Sequence, residues 1–186
     1  MNLIRHSLVA VFLTLAASTV APTFAADSVM VGGAPMYPGK TIVENAMHSR
    51  DHTTLVTAVK AAGLVDTLNG KGPFTVFAPT NEAFAALPAG TIDSLLKPEN
   101  RAALSKLLTY HVVSGNYSAH DLMAAVRQGG GRAWLTTVEG EPLTIQDDGK
   151  MLWITDAKGV KSSVTIADVK QSNGVIHVVD KVLMPK

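Results

Sequence analysis

After Gly131 the hydrophobic period of the chain changes, and that change bounds the architecture more tightly than any other feature. The runs "WLTTV", "PLTIQ", "MLWITD", "SVTIADV" and "VIHVVDKVLM" alternate or are continuously apolar and β-branched, as strands are. They are separated by "EGE", "DDGK", "AKGVK" and "SNG", which carry turn chemistry. Asn173-Gly174 predicts a hairpin turn with positive φ at both central residues. Before Gly131 the spacing is mostly helical. Thr41 with Glu44 forms a capping box ahead of "IVENAM". Leu55, Val59 and Ala62 share one face of a helix that Gly63 stops. Leu104, Leu107, Leu108 and His111 form a stripe on a helix with Pro98 near its first turn. Ser118 and Asp121 pair as a cap for a further helix, ended by Gly129–Gly131. Two short helices are predicted after Thr80 and over "TIDSLL". One strand, "FTVFA", interrupts this part and ends at Pro79. Helices segregated ahead of a β meander argue an α+β fold rather than alternating α/β.

The N-terminus reads differently. Arg5 and His6 precede an apolar run from Leu8 to Ala17, shorter than the roughly 20 residues a membrane span needs. Small residues follow, and Thr23 and Ala25 suit cleavage before Ala26. Residues 1–25 are therefore predicted to be a signal peptide and are set aside from the fold. Residues 26–40, rich in Gly, Pro and Met without a period, predict an extended N-terminal arm. Residues 41–186 then form a single domain with a core of its own. No further stretch is apolar enough to cross a membrane. The expectation is an exported protein, periplasmic or extracellular.

Cysteine is absent, so disulfides and thiolate metal sites are excluded. Without Arg5, the cations number 15 and equal the Asp and Glu count. There is no basic run, which argues against nucleic acid as a partner.

Catalytic constellations are thin. No G-x-S-x-G elbow is present, and Ser114 precedes Gly115 as a turn serine would. Asp147-Asp148-Gly149 fits a tight turn, and the glycines at 129–131 follow a helix instead of opening one. His48 and His52, four apart, could share a helix face as metal ligands do, but Ser49-Arg50-Asp51 between them suggest a break and two solvated rings. Met30, Met36 and Met47 are possible soft ligands in principle. No cofactor and no metal are expected, and no enzyme activity. His111 is expected to be a core histidine fixing a helix-to-strand junction. His177 is expected on the wetter face of its strand, opposite Ile176, Val178, Val182 and Met184.

Three stretches carry a family likeness. "FTVFAPTNEAF" (74–84), with Phe77, Pro79, Thr80 and Asn81, "LLTYHVVSG" (107–115) and "NGVIHVVDKVLMP" (173–185), opening on Asn173 and Gly174, stand in the order and spacing of a fasciclin (FAS1) domain. The chain resembles secreted bacterial single-domain members over about residues 40–185. The resemblance implies helices packed on an antiparallel-rich β-wedge. It implies an adhesion or interaction module that binds an extracellular protein or a cell-surface glycan, not an enzyme. A periplasmic metal- or small-ligand-binding protein is the alternative. In animal members adhesion is linked to a Tyr-His region and to an Asp-Ile pair. Here these correspond to Tyr110-His111 and to Asp168-Val169, where Val replaces Ile.

Overall fold

The last strand holds the middle of the sheet, and the rest of the fold is arranged around it. The computed structural model describes residues 28–186; the predicted signal peptide lies outside them. Strand β9 (Gly174–Val179) is buried along its whole length. It pairs parallel with β3 (Phe74–Pro79) on one side and antiparallel with β8 (Lys161–Gln171) on the other. Beyond β3 lies β4 (Val112–Ser114). Beyond β8 run β7 (Leu152–Thr155), β6 (Pro142–Asp147) and β5 (Ala133–Thr136), all antiparallel. The seven-stranded order is β4-β3-β9-β8-β7-β6-β5. Its two edges curl toward each other: Val138 N–H donates to Val112 O at 2.7 Å and Val113 bridges Thr137.

Because side chains alternate along β9, it feeds two cores. Ile176 and Val178 face the first, built with α1 (Ile42–Ala46), α2 (Thr53–Ala62), α3 (Val65–Leu68), α4 (Asn81–Ala85) and α6 (Arg101–Tyr110). Between α4 and α6, α5 (Thr91–Leu95) adds partly buried Ile92 and Leu95. Val179 faces the second core, which includes Phe77, Tyr110, Leu143, Ile145 and Ile154, with Leu122 and Val126 of α7 (Ala119–Gln128). Since both faces of β9 are dry, His177 is fully buried. The expectation of a wetter face there is corrected: it assumed a sheet with one solvated side, and a central strand has none.

The helix boundaries follow their caps. Thr41 and Glu44 close the predicted box on α1, and Ser118 and Asp121 close another on α7. Gly63 ends α2 in the left-handed region at φ 73°. The start of α2 has no cap from its own neighbours. Asn81 supplies it, accepting from Thr54 N–H at 3.0 Å and donating to Arg50 O at 2.8 Å. Thr80 caps its own helix through Ala83 N–H.

Two further expectations change. The predicted extended arm folds back on itself: β1 (Val29–Val31) and β2 (Ala34–Met36) form a hairpin that buries Val31 and Met36. Asn45 holds it, exchanging two hydrogen bonds with the Tyr37 backbone. The β8–β9 hairpin exists, but Gln171 pairs Gly174, so Ser172 and Asn173 are its central residues. Neither has positive φ. The Asn173 side chain is buried instead, accepting from Ile42 N–H (3.0 Å) and donating to Leu68 O (2.7 Å) and Gly70 O (3.0 Å). Gly174 is required by close approach, since a Cβ there would strike the Phe74 backbone.

Candidate functional site

Tyr110 ends α6 and His111 is its C-cap, so two adjacent side chains leave the helix in different directions. Tyr110 enters the second core, with no exposed surface. Its hydroxyl donates to Pro142 O at 3.3 Å and accepts from Ala157 N–H at 2.9 Å. Burial pushes this phenol up to about 12, with the carboxylates of Asp156, Glu141 and Glu139 adding to the shift and the Ala157 bond opposing it. His111 is 2% exposed. Its Nδ1 lies 2.8 Å from Leu107 O, and its Nε2 accepts from Leu183 N–H at 2.9 Å. Those partners require a neutral ring protonated at Nδ1. Burial holds its pKa down to about 4.

Asp168 occupies an irregular stretch of β8, where the register against β9 shifts between Ile166 and Val169. Its φ of 57° is the one positive value among the described non-glycine residues. That bend turns the carboxylate toward α7, where Oδ1 accepts from Ala119 N–H at 2.7 Å. Val169 is buried in the first core. His177 stacks on Phe77 with ring centroids 5.8 Å apart, faces Tyr117 O through Nε2 at 2.8 Å, and takes a longer bond at Nδ1 from Asp168 N–H at 3.4 Å. Burial lowers its pKa as well.

Tyr110, His111, Asp168 and Val169 therefore do not converge on an accessible surface. Tyr110, His111 and Val169 are buried in this structure. Asp168 is half-buried and committed to the start of α7. Of the motif residues, Phe77 stacks, Pro79 pairs with Val179, Thr80 and Asn81 cap, and Asn173 clamps.

His48 and His52 part company. His48 is exposed with Nδ1 2.7 Å from Glu44 O. His52 is buried at 1% exposure, its Nδ1 2.9 Å from Ser49 Oγ. Its Nε2 is buried without a hydrogen-bond partner. Burial lowers its pKa. The expected pair of solvated rings is thus half right, and the two do not form a metal-binding face. Among the described residues no three His, Asp or Glu side chains come together as a metal site.

A family profile described as Fasciclin domain matches residues 50–185. The chain belongs to the fasciclin domain family. Among fasciclin relatives, protein sll1483 of Synechocystis is 50% identical over 85% of this chain and 81% of its own length. Immunogenic protein MPB70 of Mycobacterium bovis is 37% identical over 75% of this chain and 66% of its own. The transforming growth factor-beta-induced protein ig-h3 of Sus scrofa is 34% identical over 80% of this chain, which spans only 20% of that protein. The fasciclin fold is also seen in a solved FAS1 domain pair from the insect cell adhesion molecule Fasciclin I. It superposes with a TM-score of 0.69 at 22% identity over 80% of this chain. This chain covers 52% of that pair. The resemblance and the α+β architecture are both confirmed. Asn81 and Asn173 stand in the motif stretches, but their roles were not readable there: each follows or precedes a strand, where an asparagine reads as punctuation, although its amide here joins separate elements.

Proposed function

We propose that this fasciclin domain is an exported adhesion or interaction module whose partner is an extracellular protein or a cell-surface glycan. The observation that supports it is the commitment of the motif side chains to internal bonds. Tyr110, His111, Asp168, His177 and Asn173 each hold backbone from another element. No pair of them forms a nucleophile and base, so function falls to the surface that they keep rigid. No helix among the described residues is long and apolar enough to cross a membrane. Export rests on the N-terminal pattern, and sequencing the mature N-terminus tests it: Ala26 is expected first.

The direct test presents the mature chain to a glycan array and to surface proteins, with heat-unfolded protein as control. Retention by the folded form alone is expected; equal retention of both forms would sink the reading. The small-ligand alternative draws on an apolar cleft lined by Ile42, Val56, Val59, Val65 and Leu108, with Lys60 beside it. Its metal half is tested by titrating copper and zinc calorimetrically. Stoichiometric binding tighter than about micromolar, lost in His48→Ala, would reverse the order of the two readings.

A further inference from the structure

Both tryptophans of the chain lie in the β5–β6–β7 meander, and both stand on its outer side. The inner side is dry, with Leu135, Leu143, Ile145 and Ile154 buried. Side chains alternate along each strand, so the positions between these face out. There Trp134 lies opposite Thr144, and Thr144 opposite Thr155; one step along, Gln146 lies opposite Trp153. Trp134 is 63% exposed on the edge strand, where folding gains little from an indole. Trp153 is half-buried, and its indole N–H donates to Asp148 at 2.9 Å, which orients the ring before any ligand arrives. From strand spacing and rise, the two Cα atoms stand about 12 Å apart on the diagonal. Non-adjacent rings of one linear sugar chain can bridge such a gap.

The charges beside Trp153 cancel. An open groove of about 310 Å³ runs along that ring, lined by Gly131, Gln146, Asp147, Asp148 and Lys161. Arg132 follows Gly131 at the rim and is exposed. Two carboxylates therefore stand with two cations. Lys150, from the same turn as Asp148, lines a separate groove toward α7. Hydrogen bonds from the Trp153 indole and from the Met151 and Lys150 backbone hold the Asp148 carboxyl down at about 2, so it stays ionised. Among the described residues the ion pairs involve Lys106 only, so these four charges are not spent on one another. A polyanion laid here meets Asp147 and Asp148, and a polycation meets Arg132 and Lys161. An uncharged chain of hydroxyls meets strong acceptors and strong donors with neither repulsion.

We propose that the outer face of β5–β7 binds a linear, uncharged polysaccharide with equatorial ring hydroxyls. The indoles of Trp134 and Trp153 stack on the apolar faces of its rings, which axial hydroxyls would hold away. The carboxylates accept from sugar hydroxyls, and Gln146, Lys161 and Arg132 donate to them. This inference rests on the reading of the chain as an interaction module and names its partner.

Because both tryptophans lie on the face, intrinsic fluorescence reports its occupancy directly. The mature chain is titrated with cellohexaose and, separately, with sodium polygalacturonate and a fully deacetylated glucosamine hexamer. Saturable change is expected with cellohexaose and should not depend on salt, since the ligand carries no charge. The two charged chains should bind more weakly. Trp134→Ala leaves Trp153 as reporter and is expected to bind cellohexaose about tenfold more weakly, with an unchanged melting temperature. Arg132→Gln combined with Lys161→Gln leaves the carboxylates unopposed and should turn the preference toward the glucosamine hexamer. No response to cellohexaose, or unaltered binding by Trp134→Ala, overturns the proposal. Tighter binding of either charged chain by the native protein overturns its uncharged part. The module reading is separable. Surface-protein retention that Trp134→Ala leaves intact, with no polysaccharide binding, ends this proposal and keeps that one.

Discussion

The triplet His-Val-Val occurs twice, at 111–113 and 177–179, and the fold treats the two histidines as opposites. His111 sits where α6 becomes β4, shows Nδ1 to a carbonyl of its own helix and takes a backbone N–H at Nε2. His177 sits inside β9, shows Nε2 to the Tyr117 carbonyl and takes its N–H at Nδ1. Both rings are neutral and both are dry, but they carry their proton on opposite nitrogens. Identical local sequence thus sets neither the tautomer nor the partner; the element that arrives against each ring does. The first ring ties the C-terminal segment to α6. The second ties the loop before α7 to the middle of the sheet.

The comparison can be broken most forcefully by removing each ring. His111→Ala is expected to cost about 3 kcal/mol in urea unfolding, because it opens a cavity and strands the Leu183 N–H. His177→Ala should cost about 2 kcal/mol, since its Asp168 contact is long. The reverse ranking would mean that the hairpin, not the junction, is the tighter of the two sites.

Acid is the next lever. His111 folded has a pKa of about 4 against 6.5 unfolded, so between those values the unfolded chain binds more protons. Its contribution is whole above pH 6.5 and is lost as pH falls toward 4. At pH 5 the loss from this ring is about 2 kcal/mol relative to pH 8. His177 and His52 are shifted the same way and steepen the fall. Stability measured from pH 8 to 5 should decline, and the decline should shrink in His111→Ala. A flat native profile would contradict the buried neutral rings.

Smaller effects sharpen the contrast. Asp168→Ala should cost about 1.5 kcal/mol, through a lost bond to α7 and an alanine forced to positive φ. Asp168→Asn keeps both features and should cost under about 0.5 kcal/mol by the same thermal melt. Last, nitrogen chemical shifts of the two rings should report Nδ1–H for His111 and Nε2–H for His177, with no change in stability involved.

Much of this was legible in the chain. The caps at Thr41, Thr80 and Ser118 are local pairs, and local pairs can be read without a fold. So can the stripe that buries Leu104, Leu107, Leu108 and His111. What escaped was every property set by a distant partner. His177 looked half-wet because alternation cannot say how many faces of a strand are covered. Asn173 looked like a turn residue because its three backbone partners lie more than a hundred positions upstream. The Gly- and Pro-rich arm looked structureless because its apolar residues, Val31 and Met36, find their pockets only once β8 and α1 are in place.

The central place of β9 also sets an order of events. Phe74 pairs with Gly174, a hundred positions later, and that pairing joins the two cores. A chain halted anywhere before Gly174 has both cores open along the same seam, however many helices it has formed. Long-range parallel pairing of this kind is slow to nucleate. The final strand therefore closes both cores at once, along one seam between β3 and β8.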